Sequence, residues 1–228
     1  FKDPRSYTII GTTVGGVDNL VIATGQSQFG IDVDIPGMKY ASYTRCPRIG
    51  GIVIGFNEAE ITKLPGITQA FILEPDERAG LASMSFLSGL AVLRGGVAIV
   101  GEDTWSVMNA KSKLRVRWDE STASRDDWEQ MTLQARKIAD KGDGEITLEG
   151  TNVDQAMADN NNRTLESFYQ FPYVAHVCME PMNCTVHFKK GNSSQPDTME
   201  LWIPSQFPGQ VKEIAENMLG VKKENVKV

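Results

Sequence analysis

Residues 173–185 read YVAHVCMEPMNCT, and residues 199–210 read MELWIPSQFPGQ. Between them stand TVHFKK (185–190) and the polar stretch GNSSQPD (191–197). Alternation over 185–190 and 199–204 on either side of that turn-forming stretch predicts an antiparallel strand pair. QVKEIAENMLG (210–220) then places Val211, Ile214, Ala215 and Met218 on one side of a helix that Gly220 ends. Ahead of the strands, Glu180 stands between Met179 and Pro181, an acid in an apolar setting. Burial there either raises its pKa or demands a hydrogen-bonded partner. Asn183 suits an Asx-type turn that bonds its own neighbours.

Working outward, RTLESFYQF (163–171) alternates and reads as a strand, and the polar NNNRT (160–164) marks a domain boundary. SRDDWEQMTLQARKIADKG (124–142) reads as a helix with Ser124 as its cap and Asp127 at the capping-box position. Trp128, Met131, Ala135 and Ile138 give it an apolar stripe, and Gly142 ends it. A strand or loop is expected over 143–150 and a short helix over 152–160. Nearer the front, 26–35 and 38–46 read as an antiparallel pair joined by Pro36-Gly37, and 51–56 as a further strand. Asn57 caps a short helix that must end before Pro65, because the residue preceding a proline is pushed out of helical conformation. Strands are expected over 66–73 and 97–101, and a loop over 76–89. A helix over 103–114 carries Trp105, Met108 and Ala110 on one arc, before an edge strand at 114–120 with Leu114, Val116 and Trp118 facing one way. The sum is an α+β chain.

Composition excludes several classes. The 228 residues are 41% hydrophobic and 23% charged, ordinary globular usage for one large domain or two small ones. A net charge of −6 opposes a nucleic-acid surface, which needs clustered Lys and Arg. No apolar run approaches the roughly 20 residues that span a bilayer. Cys46, Cys178 and Cys184 contain no CxxC pair, so neither a disulfide framework nor a zinc centre is indicated. Cys178 and Cys184 have His176 and His187 nearby, but alternation over 183–188 would set Cys184 and His187 on opposite faces. GTTVGGVDN (11–19) lacks the Lys-Ser/Thr ending of a phosphate loop, and Ser85 and Ser88 lack the glycines of a nucleophile elbow. Asp126, Asp127 and Glu129 complement a helix dipole more readily than they form a catalytic pair. A hydrolase reading therefore ranks last.

Taken in order, DPRSYTIIGT (3–12), ATGQSQFGIDVDIPGMKYASYTRCPRIGGIVIGFN (23–57), GGVAIVGEDTWSVMNAKSKLRVRWDES (95–121) and the 173–210 block resemble the large subunit of the xanthine dehydrogenase and aldehyde oxidase family. MEPMNCT is most similar to isoquinoline 1-oxidoreductase beta-subunit-like members. The resemblance implies a hammerhead α/β domain over 1–121, a connecting helical segment over 122–162, and the incomplete start of the molybdopterin-binding domain over 163–228. It implies a longer subunit, whose glycine-rich cofactor loop and base-supplying glutamate lie beyond this stretch. The stretch alone is expected to be inactive and to bind no stoichiometric molybdenum, and to carry a sticky apolar patch, covered by other segments in the whole subunit, through which a dimer could form.

For the whole enzyme, the resemblance implies hydroxylation of an aldehyde or N-heterocycle with oxygen from water, and electrons passed to an iron–sulfur small subunit. No catalytic residue and no metal ligand falls here; the protein's share is positioning. The residues it places toward molybdopterin are Tyr173, His176, Glu180, Asn183 and Gln206. Tyr173 occupies the position where xanthine dehydrogenase types carry a glutamine facing the molybdenum. His176 reads either as a polar lining residue or as a satisfied core group. Glu180 and Asn183 either face the cofactor or hold the MEPMN turn, Glu180 through backbone amides, and Gln206 either contacts the cofactor or caps the following helix. A non-catalytic assembly domain on the same scaffold is the alternative from a different class.

Overall fold

The computed structural model describes residues 2–76, 93–142, 144–145, 150, 152–159 and 161–228. Most of the loop expected over 76–89, with Ser85 and Ser88, and most of 143–150 lie outside the described residues. Tyr40–Arg45 (β1), Ile67–Leu73 (β3) and Gly96–Gly101 (β4) form an antiparallel sheet in the order β1-β4-β3. The continuous apolar run makes β4 the central strand, and Val97, Ala98 and Ile99 are all buried. Thr104–Lys113 (α3) packs on this sheet, capped by Asp103, whose carboxylate accepts from Ser106 N at 2.8 Å.

The buried face of α3 is Val107 and Ala110, which corrects the arc read from sequence: Trp105 and Met108 are 78% and 54% exposed. Trp105 stands two residues, about 200°, around the helix from Val107. Small side chains let the helix approach the sheet, so the larger ones are left outside. Glu58–Ile61 (α2) contributes Ile61, and the core is Ile61, Ala70, Ile99 and Ala110 with Phe56, Leu64, Ile67 and Leu114 against it.

Ile52–Phe56 (β2) pairs antiparallel with Val116–Asp119 (β5), with a bulge between Val53 and Gly55. Asn57 stands at the N-cap position of α2, but its side chain does not cap. It accepts from Arg115 N at 2.8 Å and donates to Lys113 O at 3.1 Å, joining the α3–β5 corner to the end of β2. The strand expected over 26–35 does not form. Asp32 accepts from Phe29 N at 3.0 Å and Gly30–Asp32 winds into a 3-10 turn, a local side-chain bond winning over alternation. The true partner of β1 is β4.

At the other end, Thr185–Lys189 (β6) and Thr198–Trp202 (β7) form the expected hairpin, and Val226–Lys227 (β8) adds in parallel to β7. Parallel neighbours need a crossover, which Pro208–Leu219 (the last helix) supplies. Its Ala215 packs with Met199, Leu201, Val221 and Val226 in a second core cluster. Gly220 has φ +71°, the left-handed stop expected for this helix.

Asp197 closes the hairpin, accepting from Gly191 N at 2.8 Å and from Lys190 Nζ at 2.6 Å. The Lys190 bond, then the Gly191 amide, hold its carboxyl below the ordinary 3.8. A depressed carboxylate stabilises the fold above its unfolded pKa, and that contribution is lost as pH falls through the folded value. Asp197→Asn is therefore expected to lower the melting temperature at pH 7 and to converge on the parent chain well below pH 3.8. A melting difference independent of pH would contradict this.

Among the described residues, three further helices precede that hairpin. Trp128–Lys141 (α4) is capped by Asp127, which accepts from Gln130 N at 3.0 Å, three residues later than the expected cap Ser124. Ser124 instead bonds Asp126. Gly142 ends α4 in the left-handed conformation, at φ +65°. Val153–Ala158 (α5) is capped by Asn152, and Asn19–Ala23 (α1) is a short turn of helix that no periodicity in the sequence announces.

Candidate functional site

The five residues singled out by resemblance lie on irregular chain: four between α5 and β6, and Gln206 between β7 and the last helix. The strand expected over 163–171 does not form. Among the described residues no strand pairs with this stretch, and its side chains reach α4 instead.

The Glu180–Asn183 turn is the best-held part. Asn183 Nδ2 donates to Glu180 Oε1 at 2.9 Å and to Pro181 O at 2.8 Å, so both amide hydrogens are engaged. Glu180 thus holds the turn, though through a side-chain amide rather than the backbone amides expected. The acid in an apolar setting has found its partner three residues away. Asn183 Oδ1 is buried with no hydrogen-bond partner. Facing it is Gly30, where an added Cβ would lie 2.5 Å from Oδ1 and 3.4 Å from Trp202 O. Only a Cα–H can occupy that approach, a weak donor to the oxygen. Thr185 Oγ1 reaches Gly30 O at 3.5 Å. The Gly30–Asp32 turn is therefore seated on the start of β6 and the end of β7.

Tyr173 is 78% exposed, and its ring meets Trp128 edge to face with centroids 5.2 Å apart. His176 is exposed in this chain. Gln206 is exposed as well, and it does not cap the last helix: the N-cap is Phe207, with no side-chain cap, and Ser205 Oγ accepts from Phe207 N at 3.0 Å. Proline at the first turn removes one of the donors a cap would serve.

The sequence reading missed Gly30 and Trp128 as neighbours of this segment. Gly30 carries the only available signal, a glycine where bulkier residues surround it in QFGID. Nothing local marks Trp128. Among the described residues no three His, Cys, Asp or Glu side chains come together as a metal-binding group, and no helix is long and apolar enough to cross a membrane.

Comparison with known proteins locates this region. Residues 135–228 match the family model of the molybdopterin cofactor-binding domain. The chain is 26% identical, over 237 aligned positions, to the beta chain of isoquinoline 1-oxidoreductase of Brevundimonas diminuta, covering 96% of this chain and 26% of that protein. It is 23% identical over 216 positions to one of the subunits of nicotinate dehydrogenase of Pseudomonas putida, covering 91% of this chain and 16% of that protein. Quinoline 2-oxidoreductase from Pseudomonas putida 86 shares the fold with a TM-score of 0.59 at 15% identity, over 95% of this chain and 29% of that one. The chain thus spans about a quarter or less of the length of the curated relatives it matches.

Proposed function

We propose that this chain is part of a molybdopterin-binding large subunit of the xanthine dehydrogenase and aldehyde oxidase family, and that its 173–206 region helps wall the cofactor site of an oxidoreductase. Under this reading 1–121 is the hammerhead domain, 122–162 a connecting segment and 163–228 the beginning of the cofactor-binding domain.

The observation that carries the reading is the division of labour around Asn183. Its donors are spent within the turn and its acceptor is covered by Gly30, so Asn183 and Glu180 hold the backbone. Tyr173, His176 and Gln206 remain exposed. A pterin presents amide, amino and ring-nitrogen edges, which a phenol, an imidazole and a carboxamide can meet without adding formal charge. The chemistry of these three side chains is therefore compatible with a pterin ring edge. Molybdopterin, when bound, supplies the redox-active molybdenum that accepts the substrate's electrons. This chain's residues bind and orient, and the reaction proposed for the whole enzyme is hydroxylation of an aldehyde or N-heterocycle by water, with electrons leaving through an iron–sulfur partner.

The test is made in the complete subunit. Tyr173→Ala, His176→Ala and Gln206→Ala together are expected to lower molybdenum and released-pterin content several-fold, or to raise KM at full occupancy. Trp105→Ala, on the exposed side of α3, serves as the control. Full occupancy with unchanged KM and kcat in the triple variant would sink the assignment.

A further inference from the structure

The helix α4 is amphipathic, yet none of its residues is buried. What lies along it is the extended stretch 168–173. The Arg136 guanidinium carbon stands 4.1 Å from the centroid of the Phe168 ring. Gln170 Nε2 donates to Thr132 Oγ1 at 3.1 Å, and Thr132 spends its own hydrogen on Trp128 O at 2.9 Å. The Tyr173 ring meets Trp128 at an interplanar angle of 78°. On the helix the contacts descend by four, from 136 to 132 to 128, which is a single surface row. On the strap they ascend. The strap therefore runs antiparallel along one ridge of α4, and the lengths agree: eight helical residues rise about 12 Å, within the roughly 17 Å that five extended residues can reach. Pro172 disfavours a helical backbone at Phe171, the residue before it.

Beyond Tyr173 the next fixed point is the Glu180–Asn183 turn, pinned beneath Gly30. Residues 174–179 are hung between these two anchors, with His176 inside the span. Val177, also within it, has φ +44°, a left-handed conformation that a β-branched side chain avoids. Such a backbone persists only where its surroundings determine it.

We propose that Trp128 is a positioning residue: by fixing Tyr173 it sets the path of 173–179, and so where Tyr173 and His176 stand. The docking itself is independent of any ligand, while its consequence for the cofactor rests on the function proposed above.

The test is chymotrypsin cleavage of the folded chain, with sites mapped by mass spectrometry. Phe168, Tyr169 and Tyr173 are the informative sites, since Phe171 precedes proline. Trp128→Ala is expected to speed cleavage there roughly three- to tenfold, the range an aromatic pair contributes when cleavage follows the open population. Trp128→Phe should restore the slow rate, and Trp105→Ala should leave it unchanged. Gln170→Leu, which leaves α4 intact, is expected to speed cleavage too. In the complete enzyme, Trp128→Ala and Tyr173→Ala should raise KM alike, with Trp128→Phe near the parent. Unchanged cleavage in both Trp128→Ala and Gln170→Leu overturns the docking and leaves the cofactor reading standing. Faster cleavage, with KM unmoved by either Trp128→Ala or Tyr173→Ala, overturns the positioning role and the place given to Tyr173.

Discussion

Replacing Ile99 by alanine is expected to destabilise the chain by about 2–5 kcal/mol, the range for truncating a fully buried aliphatic side chain. Ile99 is 0% exposed at the middle of the central strand β4, opposite Ser42 on β1 and Ala70 on β3. Its cluster includes Ala70 and Ala110, whose single methyl groups are fixed by the backbone and cannot swing into the space left behind. Poor collapse leaves a larger cavity, which places the expected loss in the upper half of that range. Urea unfolding followed by circular dichroism measures it. Trp105→Ala, made in parallel on an exposed site, should stay within about 0.5 kcal/mol of the parent. A loss of less than about 1 kcal/mol at Ile99 would be inconsistent with its place in a closed core.

Gly30→Ala is expected to cost about 1–3 kcal/mol, the usual penalty for forcing an atom into a packed contact. An added Cβ would meet Asn183 Oδ1 at 2.5 Å. That oxygen cannot swing aside cheaply, because Asn183 is held by bonds to Glu180 and Pro181. Either the turn gives way or the Gly30–Asp32 segment lifts from β6 and β7. A double-mutant cycle separates this contact from any general effect of losing a glycine. With Asn183→Gly already in place, adding Gly30→Ala should cost much less than it does in the parent chain. Additive costs would mean that the Gly30–Asn183 approach is not the cause. The same variants report on function: if the turn is held for the sake of a cofactor, Gly30→Ala should lower molybdenum content of the complete subunit although Gly30 need not touch the cofactor.

Both expectations concern residues whose importance differs in how far it can be read from one chain. VAIVG is apolar at every position or nearly so, and that alone makes β4 an interior strand. Nothing around Gly30 announces a partner more than 150 residues away. The alternation of QSQFGIDVDI even argues for the wrong element there, because the carboxylate of Asp32 can satisfy the Phe29 amide without any strand partner. RTLESFYQF fails for a related reason: alternation describes an extended chain, and an extended chain can dock through side chains on a helix as well as through a backbone ladder. On α3, one arc could be buried as well as another, and contact with the sheet selected the small residues.

The candidate site divides along the same line. Glu180 and Asn183 are three residues apart, so their pairing is a local matter and the turn was legible, even though its hydrogen bonds run between side chains. Tyr173 could be picked out by resemblance, but its contact with Trp128 lies 45 positions away in sequence and depends on how α4 lies.

What the sequence determined by itself is therefore the set of short-range outcomes: the hairpin at 185–202, the helices stopped by Gly142 and Gly220, the buried β4, and the Glu180–Asn183 turn. Each follows from periodicity or from polar groups within reach of their own neighbours. The tertiary structure alone decided that β1 pairs with β4, that Gly30 closes over Asn183, and that α4 carries the strap ending at Tyr173. Those contacts depend on surfaces brought together from distant positions, where hydrophobic burial is non-directional and steric fit selects among arrangements that local preference leaves equal.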